Sequence, residues 1–100
     1  SIDWSKDAEV IERLVRGLNP WPSAYTRIDD KNLKIWRAKV ISHEVKAAPG
    51  CILKVTKDEL EVQTGNGVLA LLEVQLEGKK RMDAGSFLRG VKIEKGDCLC

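Results

Sequence analysis

Several kinds of segment and site are excluded by what this sequence of 100 residues lacks. It has one histidine, three cysteines and only 5% aromatic residues. It has no apolar run near the roughly 18 residues that a membrane helix needs. Its first residues also lack the basic and then apolar layout of a secretory signal. We therefore expect a cytoplasmic protein without a membrane span.

The cysteines and the histidine offer little for a metal or nucleophilic site. The number of cysteines is odd, which fits a reducing compartment where thiols stay free; they are Cys51, Cys98 and Cys100. A closed zinc site needs about four ligands. Ser42 and His43 are neighbours, and in an extended segment neighbours point to opposite faces, so they cannot form a nucleophile and its base. We expect no catalytic residue and no metal here.

Composition and charge indicate one folded domain with a localised basic region. Hydrophobic residues make up 43% and charged residues 32%, so we expect a single domain over residues 1–100. The formal net charge is only +2, but residues 78–95 contain six basic and two acidic residues. Positive charge gathered in one segment favours a directed electrostatic contact.

A helical period begins near residue 5. The apolar residues at helical spacing are Ala8, Ile11, Leu14, Val15 and Leu18. Ser5 suits the N-cap, Gly17 suits a helix end, and Pro20 and Pro22 prevent continuation. The pattern predicts a helix over about residues 5–17.

The period changes to two after residue 32, which predicts a strand over about 33–40. Leu33 and Ile35 are out of phase with Trp36 and Val40, which predicts a bulge or a change of burial partner within that strand. The further predicted strands cover about 51–56, 59–64, 68–76 and 98–100.

Turn residues separate these strands. Pro49 and Gly50 predict one turn, and residues 64–67 predict a hairpin because Gly and Asn tolerate positive φ. Asp83 is expected to cap a short helix that Gly90 ends. About five short antiparallel strands most readily close into a barrel. We therefore expect a mainly β fold: a small OB-like antiparallel barrel with an N-terminal helix and a short helix near the C-terminus.

The basic triplet Lys79, Lys80 and Arg81 lies on a predicted turn between a strand and the short helix. Such a triplet is often only a solvated turn, but it can also bind phosphate. Lys34 and Arg89 are candidates to extend it, although the sequence does not show that they share a face.

The aromatic residues give this basic region little support for stacking on bases. Trp36 lies on a patterned strand and Trp21 between prolines, so both are expected to be packing residues. A binder without stacking aromatics would contact backbone phosphates and helix shape rather than unpaired bases.

The ordered set of short motifs resembles the C-terminal domain of bacterial methionyl-tRNA formyltransferases. The matching segments are Ile2–Trp4, Arg16–Pro22, Ala24–Thr26, Leu33–Trp36, Pro49-Gly50, Thr64-Gly65, Gln75–Met82 and Phe87–Gly90. They span nearly the whole chain in the family's order. The Gly-Lys-Lys-x-Met element at residues 78–82 is the most specific of them.

The resemblance implies that catalysis and tRNA binding belong to two different domains. In that family an N-terminal Rossmann-like domain holds 10-formyltetrahydrofolate and the catalytic Asn, His and Asp, and a C-terminal OB-like domain helps hold the initiator methionyl-tRNA. This chain resembles only the second part, so the catalytic domain is absent and no cofactor site can be carried over. The resemblance implies tRNA contacts by Lys79, Lys80 and Arg81, supplemented by Lys34 and Arg89.

The expected partners are thus the initiator methionyl-tRNA and the chain's own N-terminal catalytic domain, and we expect a monomer. Two alternatives stay open. The domain could be a non-catalytic scaffold that packs on its catalytic partner, or part of a related formyltransferase that acts on a small molecule.

Overall fold

The computed structural model describes residues 1–19, 21 and 23–99. Its elements, in chain order, are α1 (Ala8–Leu18), β1 (Ala24–Ile28), β2 (Lys31–Ser42), β3 (Ile52–Val55), β4 (Leu60–Gln63), β5 (Val68–Leu76), β6 (Met82–Asp83) and α2 (Ala84–Gly90). All strands belong to one antiparallel sheet in the order β1-β2-β5-β4-β3, with β6 beside β5. No helix in these ranges has the length and apolarity needed to cross a bilayer.

The mainly β class with two helices is confirmed, but the sheet is not closed into a barrel. Other parts of the chain cover its two end strands instead. The amide of Ile2 donates to the carbonyl of Tyr25 on β1 at 2.7 Å. On β3, Ile52 donates to the Asp97 carbonyl at 2.7 Å and accepts from Gly96 at 2.9 Å. Covering an edge satisfies its backbone groups without closure.

Helix α1 follows the predicted period, but it begins later than predicted. Ala8, Ile11 and Val15 are its buried residues. Ser5 is not the N-cap, because its amide and hydroxyl both bond the Asp3 carboxylate, at 3.0 and 2.6 Å. Asp7 occupies the N-cap position instead. The predicted roles of Pro20 and Pro22 lie outside the described residues.

Strand β2 contains the predicted bulge, and the bulge divides its faces. Ile35 pairs with Val74 and Arg37 with Glu73, so Trp36 is the extra residue. Leu33 and Ile35 are fully buried before the bulge, whereas the positions after it alternate between exposed and partly buried. Of the two predicted explanations, the bulge is confirmed.

The predicted turns and the short helix are confirmed. Gly50 has a φ of +90° in the first turn and Gly67 a φ of +108° in the hairpin between β4 and β5. Asp83 caps α2 by accepting from the Ser86 amide at 2.8 Å. Strands β1 and β6 were not expected. The strand expected over 98–100 is reduced to one bridge between Cys98 and Cys51, and Cys100 lies outside the described residues.

Cys51 and Cys98 are joined as a disulfide, so the expectation that all three thiols stay free was wrong. The cause is the fold of the C-terminal segment. Leu99 donates to the carbonyl of Gly50 at 2.7 Å, so the segment lies antiparallel to the turn before β3 and places the two cysteines opposite each other.

Candidate functional site

The outer faces of β2 and β5 carry a group of polar side chains around Trp36. Lys34 lies opposite Gln75 and Arg37 lies opposite Glu73 in the register of the two strands. Arg81 reaches the same face from the segment after β5. We call these residues the Trp36 cluster: Lys34, Trp36, Arg37, Glu73, Gln75 and Arg81.

The turn that follows β5 presents two lysines to solvent. Gly78 has a φ of +80°, and the amide of Lys79 closes the turn on the Leu76 carbonyl at 2.9 Å. Lys79 and Lys80 are exposed, and neither ammonium group has an ion-pair or hydrogen-bond partner within the described part of the chain. We call residues 77–80 the lysine turn. Its two cations are available to a ligand.

Arg81 belongs to the predicted triplet but is held differently from its neighbours. Its Nε and Nη2 atoms contact one oxygen of Glu73 at 2.7 and 2.6 Å. The other oxygen of Glu73 accepts from Arg37 at 2.7 Å. The hydrogen bonds from Arg37 and then Arg81 lower the pKa of the Glu73 carboxyl. One carboxylate is therefore shared by two guanidinium groups.

Cations from two separate segments contact the indole ring of Trp36. The Lys34 Nζ atom is 3.6 Å and the Arg81 Cζ atom 4.3 Å from the ring centroid. Both distances are well inside the range of cation–π attraction. The ring's Nε1–H donates to Gln75 at 3.0 Å, and the Gln75 amide donates to the Lys79 carbonyl at 3.0 Å. Gln75 thereby ties the ring to the lysine turn.

The structure brings four of the five predicted binding residues to one place. Lys34 and Arg81 share the Trp36 ring, and Lys79 and Lys80 lie on the adjoining turn. Arg89 is separate from them. It lies on α2, is exposed, and donates to the Ser86 hydroxyl at 3.0 Å on its own helix.

The sequence did not identify four members of the Trp36 cluster. The alternation of Glu73 and Gln75 on a half-buried strand is visible in the sequence, but their partners depend on the register with β2. The prediction that Trp21 is a packing residue is wrong, whereas Trp36 packs against Lys34 and Arg81. Trp36 is half-buried on the outer face, and Trp21 is 84% exposed.

This surface carries more basic than acidic residues. The Trp36 cluster has three basic residues against one acidic residue, and the lysine turn has two against one. Among residues 1–19, 21 and 23–99 no group of three or more His, Cys, Asp and Glu side chains could hold a metal ion. The single histidine, His43, lies 3.4 Å from Glu9 on an exposed surface away from this cluster.

Comparison with known proteins matches residues 1–92 to the family described as "Formyl transferase, C-terminal domain". A methionyl-tRNA formyltransferase of Agathobacter rectalis is 60% identical over 95 residues, which cover 95% of this chain and 31% of that protein. Those of Citrifermentans bemidjiense and Bacillus subtilis are 50% and 46% identical over 98% of this chain. The chain thus spans about a third of the length of these relatives.

Proposed function

The chain belongs to the formyl transferase C-terminal domain family, and we propose that it is the tRNA-binding C-terminal domain of a methionyl-tRNA formyltransferase. The observation that carries the proposal is the exposed lysine turn beside the Trp36 cluster. Lys79 and Lys80 face solvent. Lys34 and Arg81 contact the Trp36 ring, and Gln75 links that ring to the Lys79 carbonyl.

This surface suits a phosphate backbone better than it suits unpaired bases. Lys34 and Arg81 already contact the Trp36 ring, so a base that stacked on it would compete with them. Cations on a sheet face and a turn can instead neutralise phosphates along a folded RNA. The domain would bind the phosphate backbone of the initiator methionyl-tRNA. The bases of the tRNA would be recognised mainly by other parts of the full protein.

In the proposed full protein, formyl transfer from 10-formyltetrahydrofolate takes place in a catalytic domain that precedes this one. This domain would act in the cytoplasm as part of a monomer.

The proposal is tested by titrating deacylated initiator tRNA against this chain at several salt concentrations. Each neutralised phosphate contributes about 0.7–0.9 to the slope of log K against log salt. We expect weak binding that fades with salt, and a slope that is smaller by about 1.4–1.8 in the Lys79→Ala/Lys80→Ala variant.

The matched control is Lys57→Ala/Lys95→Ala. Both lysines are exposed, and they lie near β3 at the far side of the sheet from the Trp36 cluster. The control removes the same charge as the test variant. Because its two lysines lie outside the proposed surface, its salt slope should stay close to that of the unchanged chain. Equal slopes for all three proteins would contradict the assignment of the lysine turn.

A second role is favoured by the outer side of α1. Val10 is 43% and Leu14 38% exposed, one helical turn apart. Such a pair suits packing on the catalytic domain, as expected of a scaffold. Mixing this chain with a separately produced catalytic domain discriminates between the roles. Restored formylation without tRNA affinity in this chain would favour the scaffold.

A further inference from the structure

The Trp36 ring contacts both segments that carry the proposed binding cations. Lys34 is on β2, whereas Arg81 follows β5, and the two are 47 positions apart in sequence. Their charged groups lie 3.6 and 4.3 Å from the same ring centroid. Two cations so close to one ring repel each other. Neighbouring side chains must therefore hold Lys34 and Arg81 at the ring before a ligand binds.

Hydrogen bonds hold both the ring and the backbone that carries it. Its Nε1–H is bonded to Gln75, whose amide holds the lysine turn through the Lys79 carbonyl. The side-chain amide of Asn19 donates to the backbone carbonyls of Ile35 and Trp36 at 3.2 and 3.1 Å. These bonds hold the backbone at the bulge that turns Trp36 outward.

Glu73 fixes the Arg81 guanidinium through two contacts. It accepts from Arg81 and also from Arg37, and its charge offsets part of the repulsion among the cations. The ring and the carboxylate thus have complementary roles. The carboxylate orients the guanidinium, and the ring attracts both cations through its negative face.

We propose that Trp36 is the positioning residue of this surface: its ring holds Lys34 and Arg81, and through Gln75 the lysine turn, in the arrangement that binds tRNA phosphates. The inference rests on the proposed function. Trp36 adds no charge, so it acts by ordering the cations in advance. Ordering groups before binding lowers the entropic cost of association.

This role predicts an effect on affinity that differs from the effect of removing a lysine. In Trp36→Leu every cation remains, so the salt slope should be unchanged. The tRNA affinity should fall by about threefold to tenfold at each salt concentration, as expected for the loss of partly exposed cation–π contacts. Trp36→Phe keeps an aromatic face, and its affinity should recover most of that loss.

The matched control is Trp21→Leu, which makes the same chemical change at an exposed tryptophan outside the cluster and should leave affinity unchanged. Nuclear magnetic resonance of the unbound chain gives a readout independent of RNA. The methylene protons of Lys34 next to Nζ should show an upfield ring-current shift that is lost in Trp36→Leu and retained in Trp36→Phe.

Should Trp36→Leu unfold, Gln75→Leu gives the second test, because it separates the ring from the lysine turn without touching the core. We expect it to lower affinity about twofold to fivefold with an unchanged slope. Unchanged affinity in the folded variants, while Lys79→Ala/Lys80→Ala still reduces the slope, overturns the role of Trp36 alone. Absence of tRNA binding by the unchanged chain overturns the proposed function and this role together.

Discussion

At the scale of single residues, Glu73 supplies the negative charge of the candidate site and contacts two of its cations. It is the one acidic residue among three basic residues in the Trp36 cluster, and it is shared by Arg37 and Arg81. An exposed ion pair contributes little to stability by itself. A shared carboxylate, however, holds two guanidinium groups at once, and Arg81 is thereby kept near the ring of Trp36.

The pKa of Glu73 gives a prediction about pH. Its pKa lies below the ordinary value near 4.5 because Arg37 and Arg81 favour the charged form. The unfolded chain therefore binds the proton at higher pH than the folded chain does. The stabilisation from this carboxylate is complete above the ordinary value and is lost as pH falls through the lowered pKa.

This is checked by comparing the melting temperatures of the unchanged chain and Glu73→Gln between pH 7 and pH 2.5. We expect the variant to melt lower at pH 7 and the difference to shrink on acidification. Glu94→Gln is the control for removing an exposed carboxylate paired with a lysine. Asp3 and Asp83 also have lowered pKa values, so the difference between variants is the informative quantity. A difference independent of pH would contradict the role given to Glu73.

At the scale of elements, the hairpin between β4 and β5 anchors the beginning of α1. The amide of Gly65 donates to the carbonyls of Trp4 and Lys6 at 2.8 and 3.1 Å. One residue later, the carbonyl of Asn66 accepts from Ala8, the first residue of the helix, at 3.0 Å. The hairpin and the N-terminal segment thus lie so close together that position 65 has no room for a side chain.

A methyl group at position 65 should therefore destabilise the domain. A Cβ built there would overlap the backbone carbonyl of Ser5, which cannot move without breaking the bonds of Trp4 and Lys6. We expect Gly65→Ala to lower the free energy of unfolding by about 1–3 kcal/mol, measured by urea denaturation.

Gly17→Ala is the matched control. Gly17 lies in α1, and a Cβ there meets nothing within 4 Å. Alanine should raise the free energy of unfolding by about 0.4–1 kcal/mol, because it restricts the unfolded chain and favours the helix. Equal stability of the two variants would contradict the close approach at Gly65.

At the scale of the whole molecule, the features predicted from sequence are those determined by neighbouring residues. The period of α1, the hairpin at 64–67 and the capping of α2 by Asp83 each depend on a few consecutive positions. The bulge in β2 was also predictable, because two faces conflict within one strand.

The remaining features depend on contacts between distant segments, which local pattern does not determine. Strand β6 has only two residues and exists because β5 lies beside it. The disulfide joins cysteines 47 positions apart, after the C-terminal segment has covered β3. The Trp36 cluster likewise requires the register that places Lys34 opposite Gln75.

The central claim is that the outer face of β2 and β5, with the lysine turn, is where the domain meets tRNA. The most direct measurement follows the backbone amide resonances of this chain while deacylated initiator tRNA is added at low salt. We predict that the largest changes fall on residues 33–37 and 73–81. Changes confined to α1 or to the β3 edge, with those two segments unaffected, would contradict the claim.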